Sequence, residues 1–121
     1  MVEPYADSLA KIPSTNHVLC HSVNKVTEEM LGAIQEPVLR RGDCRRQRCQ
    51  IRQISMYLCH VALSLPQHEV ASAFGYDRST VSYACQVIEN RRDNKALDQF
   101  ISMLERVVAV LGTLAKTVPH G

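Results

Sequence analysis

The sequence predicts an all-α domain of five or six helices, on three observations. From about Asn16 onward, apolar residues recur at three- and four-residue spacing, the pattern of helices that each bury one face. No stretch alternates with period two for long enough to form a strand. The chain has 121 residues, 45% of them apolar and none of them Trp, which suits one modest core rather than a layered sheet enzyme.

Residues 1–16 hold Pro4, Pro13, Ser14, Thr15 and Asn16 without sustained periodicity. They are expected to form an arm with at most one helical turn, around residues 5–10. Leu19, Val23, Val26 and Met30 mark the first helix, with Asn16 as its N-cap. Thr27, followed by Glu28 and Glu29, has the form of a second cap, so a break is expected at residues 25–27. Pro37 closes this region. Next comes RRGDCRRQRCQIR, residues 40–52, in which Gly42 and Asp43 are turn residues. From about Arg46 to Leu63, the residues Ile51, Ile54, Leu58, Val61 and Leu65 are spaced 3, 4, 3 and 4, an amphipathic helix.

Leu65-Pro66 opens another helix, since Pro is tolerated in a first turn. It runs through Glu69, Val70, Ala71, Ala73 and Phe74 and stops at Gly75. The helix after it starts at Asp77 or Ser79, both good caps, and continues to about Arg92 with Val81, Ala84, Cys85 and Ile88 inward. Asp93-Asn94 is a break. The last helix, roughly residues 95–116, carries Leu97, Phe100, Ile101, Leu104, Val107, Val108, Leu111 and Leu114. The expected organisation is an arm over 1–16, a helical domain over 17–94, and a C-terminal helix with a short tail over 95–121. That helix either caps the chain's own core or pairs at its far end with a second copy.

Residues 66–86 fit a helix-turn-helix, two helices crossing steeply through a short Gly-containing turn. Ala71 is small where the second helix must pass close. Gly75 sits where the backbone needs a left-handed turn. Val70, Phe74, Tyr76, Val81 and Ala84 supply the apolar wedge between the helices. The face of the second helix left outside then carries Arg78, Ser79, Ser82, Tyr83 and Gln86.

In the docked motif the N-terminal end of the second helix enters the major groove of duplex DNA. Arg there can bond guanine O6 and N7, and Gln can do the same for adenine. Ser79 and Thr80 suit a phosphate oxygen. Asp77 either caps the helix or accepts from cytosine N4, and Tyr83 is either a half-buried aromatic or a DNA contact. His68, on the first helix of the motif, is a further candidate. The net charge is only +2, but Arg40, Arg41, Arg45, Arg46, Arg48 and Arg52 all fall within 13 residues beside one acid, Asp43. Such a cluster is an electrostatic footprint for phosphate. A helix dipole favours acids at this end, so these arginines serve something outside the helix.

RQISMYLCHVALSLPQHEVASAFGYDRSTVSYACQVIE, residues 52–89, resembles the C-terminal, TrpR-like helix-turn-helix domain of the bacterial chromosomal replication initiator DnaA. Arg52-Gln53 matches the family's lead into a long helix. Glu69-Val70 and Ala73-Phe74-Gly75 match its first motif helix and turn. Asp77, Ser79, Thr80, Val81, Ala84 and Cys85 match its signature helix. A looser likeness extends over roughly residues 17–105.

The resemblance implies sequence-specific binding of double-stranded DNA. Asp77, Arg78 and Ser79 would read the major groove, Thr80 would touch phosphate, and Arg40, Arg41 or Arg45 would reach the minor groove. Three departures stand out. Arg78 replaces the family's His, the turn is one residue shorter than in many members, and Gln86-Val87 replaces a basic pair. A different or relaxed sequence preference is therefore expected.

No GxxxxGK[ST] loop is present and 121 residues leave no room for the family's ATPase module, so no nucleotide is expected and the domain is expected to stand alone. No apolar run approaches the ~20 residues of a membrane span, and the N-terminus lacks a signal peptide's apolar segment. A cytoplasmic, nucleoid-associated protein with reduced thiols is expected.

The five cysteines include no CxxC pair, and neither a metal nor any other cofactor is expected. Cys20, Cys59 and Cys85 suit the core. Cys44 and Cys49, between arginines, carry a weaker signal for redox control. No constellation of nucleophile and base points to catalysis. The expectation is a regulator of transcription or replication. The alternative is a protein-interaction module that keeps the fold without specific DNA binding, suggested by Gln86-Val87 and the modest net charge.

Overall fold

The computed structural model describes residues 14–34 and 44–117, and among them it contains five helices and no strand. The helices are α1 (Thr15–Ala33), α2 (Cys44–Val61), α3 (Gln67–Phe74), α4 (Arg78–Arg91) and α5 (Lys95–Thr117). The arm over 1–13, Pro37, the Gly42-Asp43 turn and the arginines Arg40 and Arg41 lie outside the described residues, as do the side chains of Cys44 and Arg45.

α2 is the central helix. Ile54, Ser55, Met56, Tyr57, Leu58 and Cys59 are all buried, so for more than a full turn this helix has no solvent face. α1 and α4 pack against it on different sides, and α5 closes over α1 and α2. α1 contributes Cys20, Val23, Thr27 and Leu31, spaced 3, 4 and 4, to the same core. The break expected at residues 25–27 is absent. Thr27 is fully buried in line with Val23 and Leu31, and Lys25 reaches Glu28 at 3.3 Å and Glu29 at 3.6 Å across the helix surface. Packing of the stripe outweighs the weak helix preference of Thr. The cap also differs from the expectation. Ser14 Oγ accepts from the His17 N–H at 3.2 Å, while Asn16 donates to Glu69 Oε1 of α3 at 2.6 Å.

The helix-turn-helix is α3 and α4. α3 ends at Gly75, whose φ of 75° and ψ of 34° are left-handed. The Gly75 N–H donates to Ser72 O at 3.3 Å and the Tyr76 N–H to Ala71 O at 2.9 Å, a Schellman closure. Val70 and Ala71 of α3 and Val81 and Ala84 of α4 are all buried. Tyr76 departs from the expected wedge. It is 43% exposed, because the turn carries it past the contact.

The junction of α4 and α5 is ionic. Asn94 Oδ1 accepts from the Leu97 N–H at 3.0 Å and caps α5. Arg92, 82% buried at its side chain, donates to Asp98 at 2.6 Å, Ser102 at 2.9 Å, Glu105 at 3.1 Å and the Tyr57 hydroxyl at 3.1 Å. Tyr57 donates in turn to Glu89 Oε2 at 2.9 Å, so one guanidinium joins α2, α4 and α5. Burial works against the Arg92 charge, but the bonds to Asp98, Tyr57 and Glu105 more than offset it and its pKa is raised. The buried stripe of α5 is Leu97, Phe100, Ile101, Leu104 and Val108, and beyond it Val110 and Leu114 are exposed.

Two glycines separate conformation from packing. A Cβ on Gly75 or on Gly32 would meet no atom within 4 Å, but only Gly75 has a positive φ. Gly75→Ala is expected to lower the unfolding free energy by about 1 kcal/mol and Gly32→Ala to raise it by about 0.5 kcal/mol, read from urea titrations. Arg92→Met removes one of the two bonds of the Tyr57 hydroxyl and leaves Asp98 and Glu105 without their cation. It should cost about 2 kcal/mol in the same titration, and a loss below about 0.5 kcal/mol would deny the network a structural role.

Candidate nucleic-acid interface

α4 starts after Asp77, whose backbone is extended as an N-cap requires but whose side chain makes no capping hydrogen bond. The Asp77 carbonyl already accepts from Thr80 at 3.0 Å and Val81 at 3.4 Å. The N–H groups of Arg78 and Ser79 have no helical acceptor and point out of the helix end. With Val81, Ala84 and Ile88 buried and Cys85 half-buried, the outer face carries Arg78, Ser79, Ser82, Tyr83 and Gln86, all exposed. Tyr83 is 63% exposed, which removes the half-buried alternative. Thr80 is half-buried and Asp77 exposed.

Five of these side chains line one cleft of about 360 Å³: Arg78, Ser79, Ser82, Tyr83 and Gln86. Gln67, from the first turn of α3, completes it. The sequence reading missed Gln67; its position just after Pro66, at the start of a helix facing α4, was the available signal. His68 is exposed on the same turn but does not line the cleft. No acid pairs with Arg78 among the described residues, so the cleft holds an uncompensated cation.

The first turns of α2 supply the other cations. Arg46 and Arg48 are exposed and Arg52 is half-buried. Arg48 and Arg52 are one turn apart on one face of α2. The Arg52 guanidinium lies 4.8 Å from the centre of the Tyr76 ring, which places this face beside the turn that leads into α4. The basic α2 start and the outer face of α4 therefore meet at the turn.

Two thiols belong to the interior. Cys20 and Cys59 are fully buried, and Cys85 is half-buried. The Cys59 thiol is pushed up by its hydrogen bond with Cys20 and by burial, and that of Cys85 by burial and by Glu89, so neither is an activated nucleophile. Among the described residues no three His, Cys, Asp or Glu side chains form a metal-binding group, and no helix is long and apolar enough to cross a membrane.

A sequence model described as the bacterial DnaA protein helix-turn-helix matches residues 20–88, more than half of the chain. The chain belongs to this family. The match runs from Cys20 of α1 to Ile88 of α4 and so contains α3, the turn and all but the last three residues of α4, while α5 lies beyond it. No curated protein and no solved structure shows a significant match. Membership places the chain among DnaA-like, DNA-binding helix-turn-helix domains, whose partner is double-stranded DNA.

The outer residues of α4 lie outside the buried core. Arg78→Ala, Tyr83→Ala and Gln86→Ala should each change the unfolding free energy by less than about 0.5 kcal/mol. A loss above about 1.5 kcal/mol for any of them would assign that side chain to the fold rather than to a surface for binding.

Proposed function

We propose that the protein is a sequence-specific binder of double-stranded DNA that regulates transcription or replication. The observation that carries this reading is the convergence of Arg78, Ser79, Ser82, Tyr83 and Gln86 on one cleft at the exposed end of the second motif helix. Arg78 and Gln86 are the side chains able to bond base edges bidentately, guanine and adenine respectively. Asp77 accepts from cytosine, and Tyr83 packs against the groove wall. Thr80, Ser79 and the free N–H groups at the α4 start hold a phosphate. His68 contacts the backbone on the side of α3.

Arg46, Arg48 and Arg52 neutralise phosphates, and Arg40, Arg41 or Arg45 enters the minor groove. The protein works as a binding domain, not as an enzyme, and acts at the nucleoid in the cytoplasm. Residues 17–94 form the DNA-binding unit. A single recognition helix with few phosphate contacts binds weakly, and exposed Val110 and Leu114, 58% and 57% accessible, give α5 an apolar end for a second copy. A dimer would set two recognition helices about 34 Å apart on half-sites one turn from each other. Arg78 in place of the family's His shifts the preferred site away from the usual initiator box.

Titration of labelled duplex over a range of salt tests this reading. Affinity should fall with salt with a slope of about −0.9 per neutralised phosphate. Arg78→Ala should weaken the preferred duplex about ten-fold or more while leaving non-specific binding within about two-fold. Salt-independent or absent binding would favour the protein-interaction alternative.

A further inference from the structure

Tyr76 is an exposed aromatic that neither the core nor the cleft accounts for. It sits between Gly75 and Asp77, and its backbone is fixed by the bond from its N–H to Ala71 O. Its ring lies beneath the Arg52 guanidinium at 4.8 Å. Arg52 is half-buried, yet no carboxylate among the described residues pairs with it. Its Nη2 contacts a weak acceptor, Cys49 Sγ, at 3.6 Å, and its Nε is shielded from solvent without any acceptor. Taking a cation out of water without an anion is costly, and an aromatic face compensates only in part. The contrast is Arg92, which has two carboxylates and two hydroxyls. The Arg52 site is one anion short.

We infer that Tyr76 is a positioning residue: its ring holds the Arg52 guanidinium against the helix-turn-helix turn so that the open edge of that group grips a phosphate of bound duplex. The inference rests on the proposed DNA binding and adds to it a side chain outside the cleft. The turn directly precedes the α4 end that enters the groove in the docked motif, so a charge anchored there stands where the sugar–phosphate backbone passes. A phosphate oxygen supplies the missing anion. Stacking restricts a long flexible side chain before binding, so less freedom is lost when the contact forms.

The experiment is fluorescence anisotropy with a labelled duplex of about 20 base pairs over a salt series. It compares wild type, Tyr76→Phe, Tyr76→Leu, Arg52→Ala and the double variant Arg52→Ala/Tyr76→Leu, each checked for an intact thermal transition. Tyr76→Leu should lose about five-fold in affinity near 0.1 M salt, and its slope of log K against log salt should be shallower by about 0.9, one phosphate. Tyr76→Phe keeps the ring and should match wild type in both. Arg52→Ala should reproduce the Tyr76→Leu loss, and the double variant should lose no more than Arg52→Ala alone. A wild type that binds while Tyr76→Leu keeps its affinity and slope overturns this inference alone. So does a Tyr76→Phe variant as impaired as Tyr76→Leu. A wild type that does not bind overturns the proposed function with it.

Discussion

Six consecutive residues of α2, Ile54 to Cys59, are buried, and the rest of the architecture follows from enclosing them. A helix buried on all sides needs neighbours all round. α1 and α4 supply two walls and α5 the third, each through a stripe of residues three and four apart. Because α4 spends Val81, Ala84 and Ile88 on this contact, its opposite face must point away from the domain. The direction in which Arg78, Tyr83 and Gln86 are presented is thus set by the hydrophobic demand of α2. Gly75 adjusts it locally: a left-handed residue there lets α3 end and α4 depart at a steep angle within three residues.

Charges are treated differently at the two ends of α4. At its C-terminus Arg92 is sunk among Asp98, Glu105, Ser102 and Tyr57, and the surroundings satisfy it. At its N-terminus Arg78 pairs with no acid among the described residues, and Arg52 rests on an aromatic ring. Folding alone gives no reason to leave half-buried Arg52 without a carboxylate among the described residues, when Arg92 is given two. An external polyanion supplies the reason in the proposed reading, and membership of a DNA-binding family points to the same partner.

Much of this was legible in the sequence because burial imposes a period. The stripe of α4, the stop at Gly75 and the Asp93-Asn94 break follow from spacing and from local turn chemistry, and the structure places them as expected, whereas Val61 of the expected α2 stripe and Leu114 of the expected α5 stripe are exposed, because the core ends before it reaches them. Spacing cannot reveal contacts between distant segments. Thr27 looks like a cap when read with Glu28 and Glu29, but it continues a stripe whose partners lie on another helix. Asn16 looks like a cap, but its amide is taken by Glu69. Tyr76 is apolar enough to join a wedge, and only the three-dimensional course of the turn puts it outside under Arg52. The Arg92 network joins residues 57 to 105 and leaves no periodic trace. Gln67 is different: the expected helix-turn-helix already sets the start of α3 beside α4, and only its entry into the cleft needed the fold.

The most direct test is selection from a random duplex library, run in parallel with the wild type and with Arg78→Ala. Reading of base edges by α4 predicts an enriched motif for the wild type that blurs at one or two positions in the variant and is retained elsewhere. The same motif, equally sharp, from both proteins would contradict readout by this helix, and no enrichment from either would contradict sequence-specific binding itself.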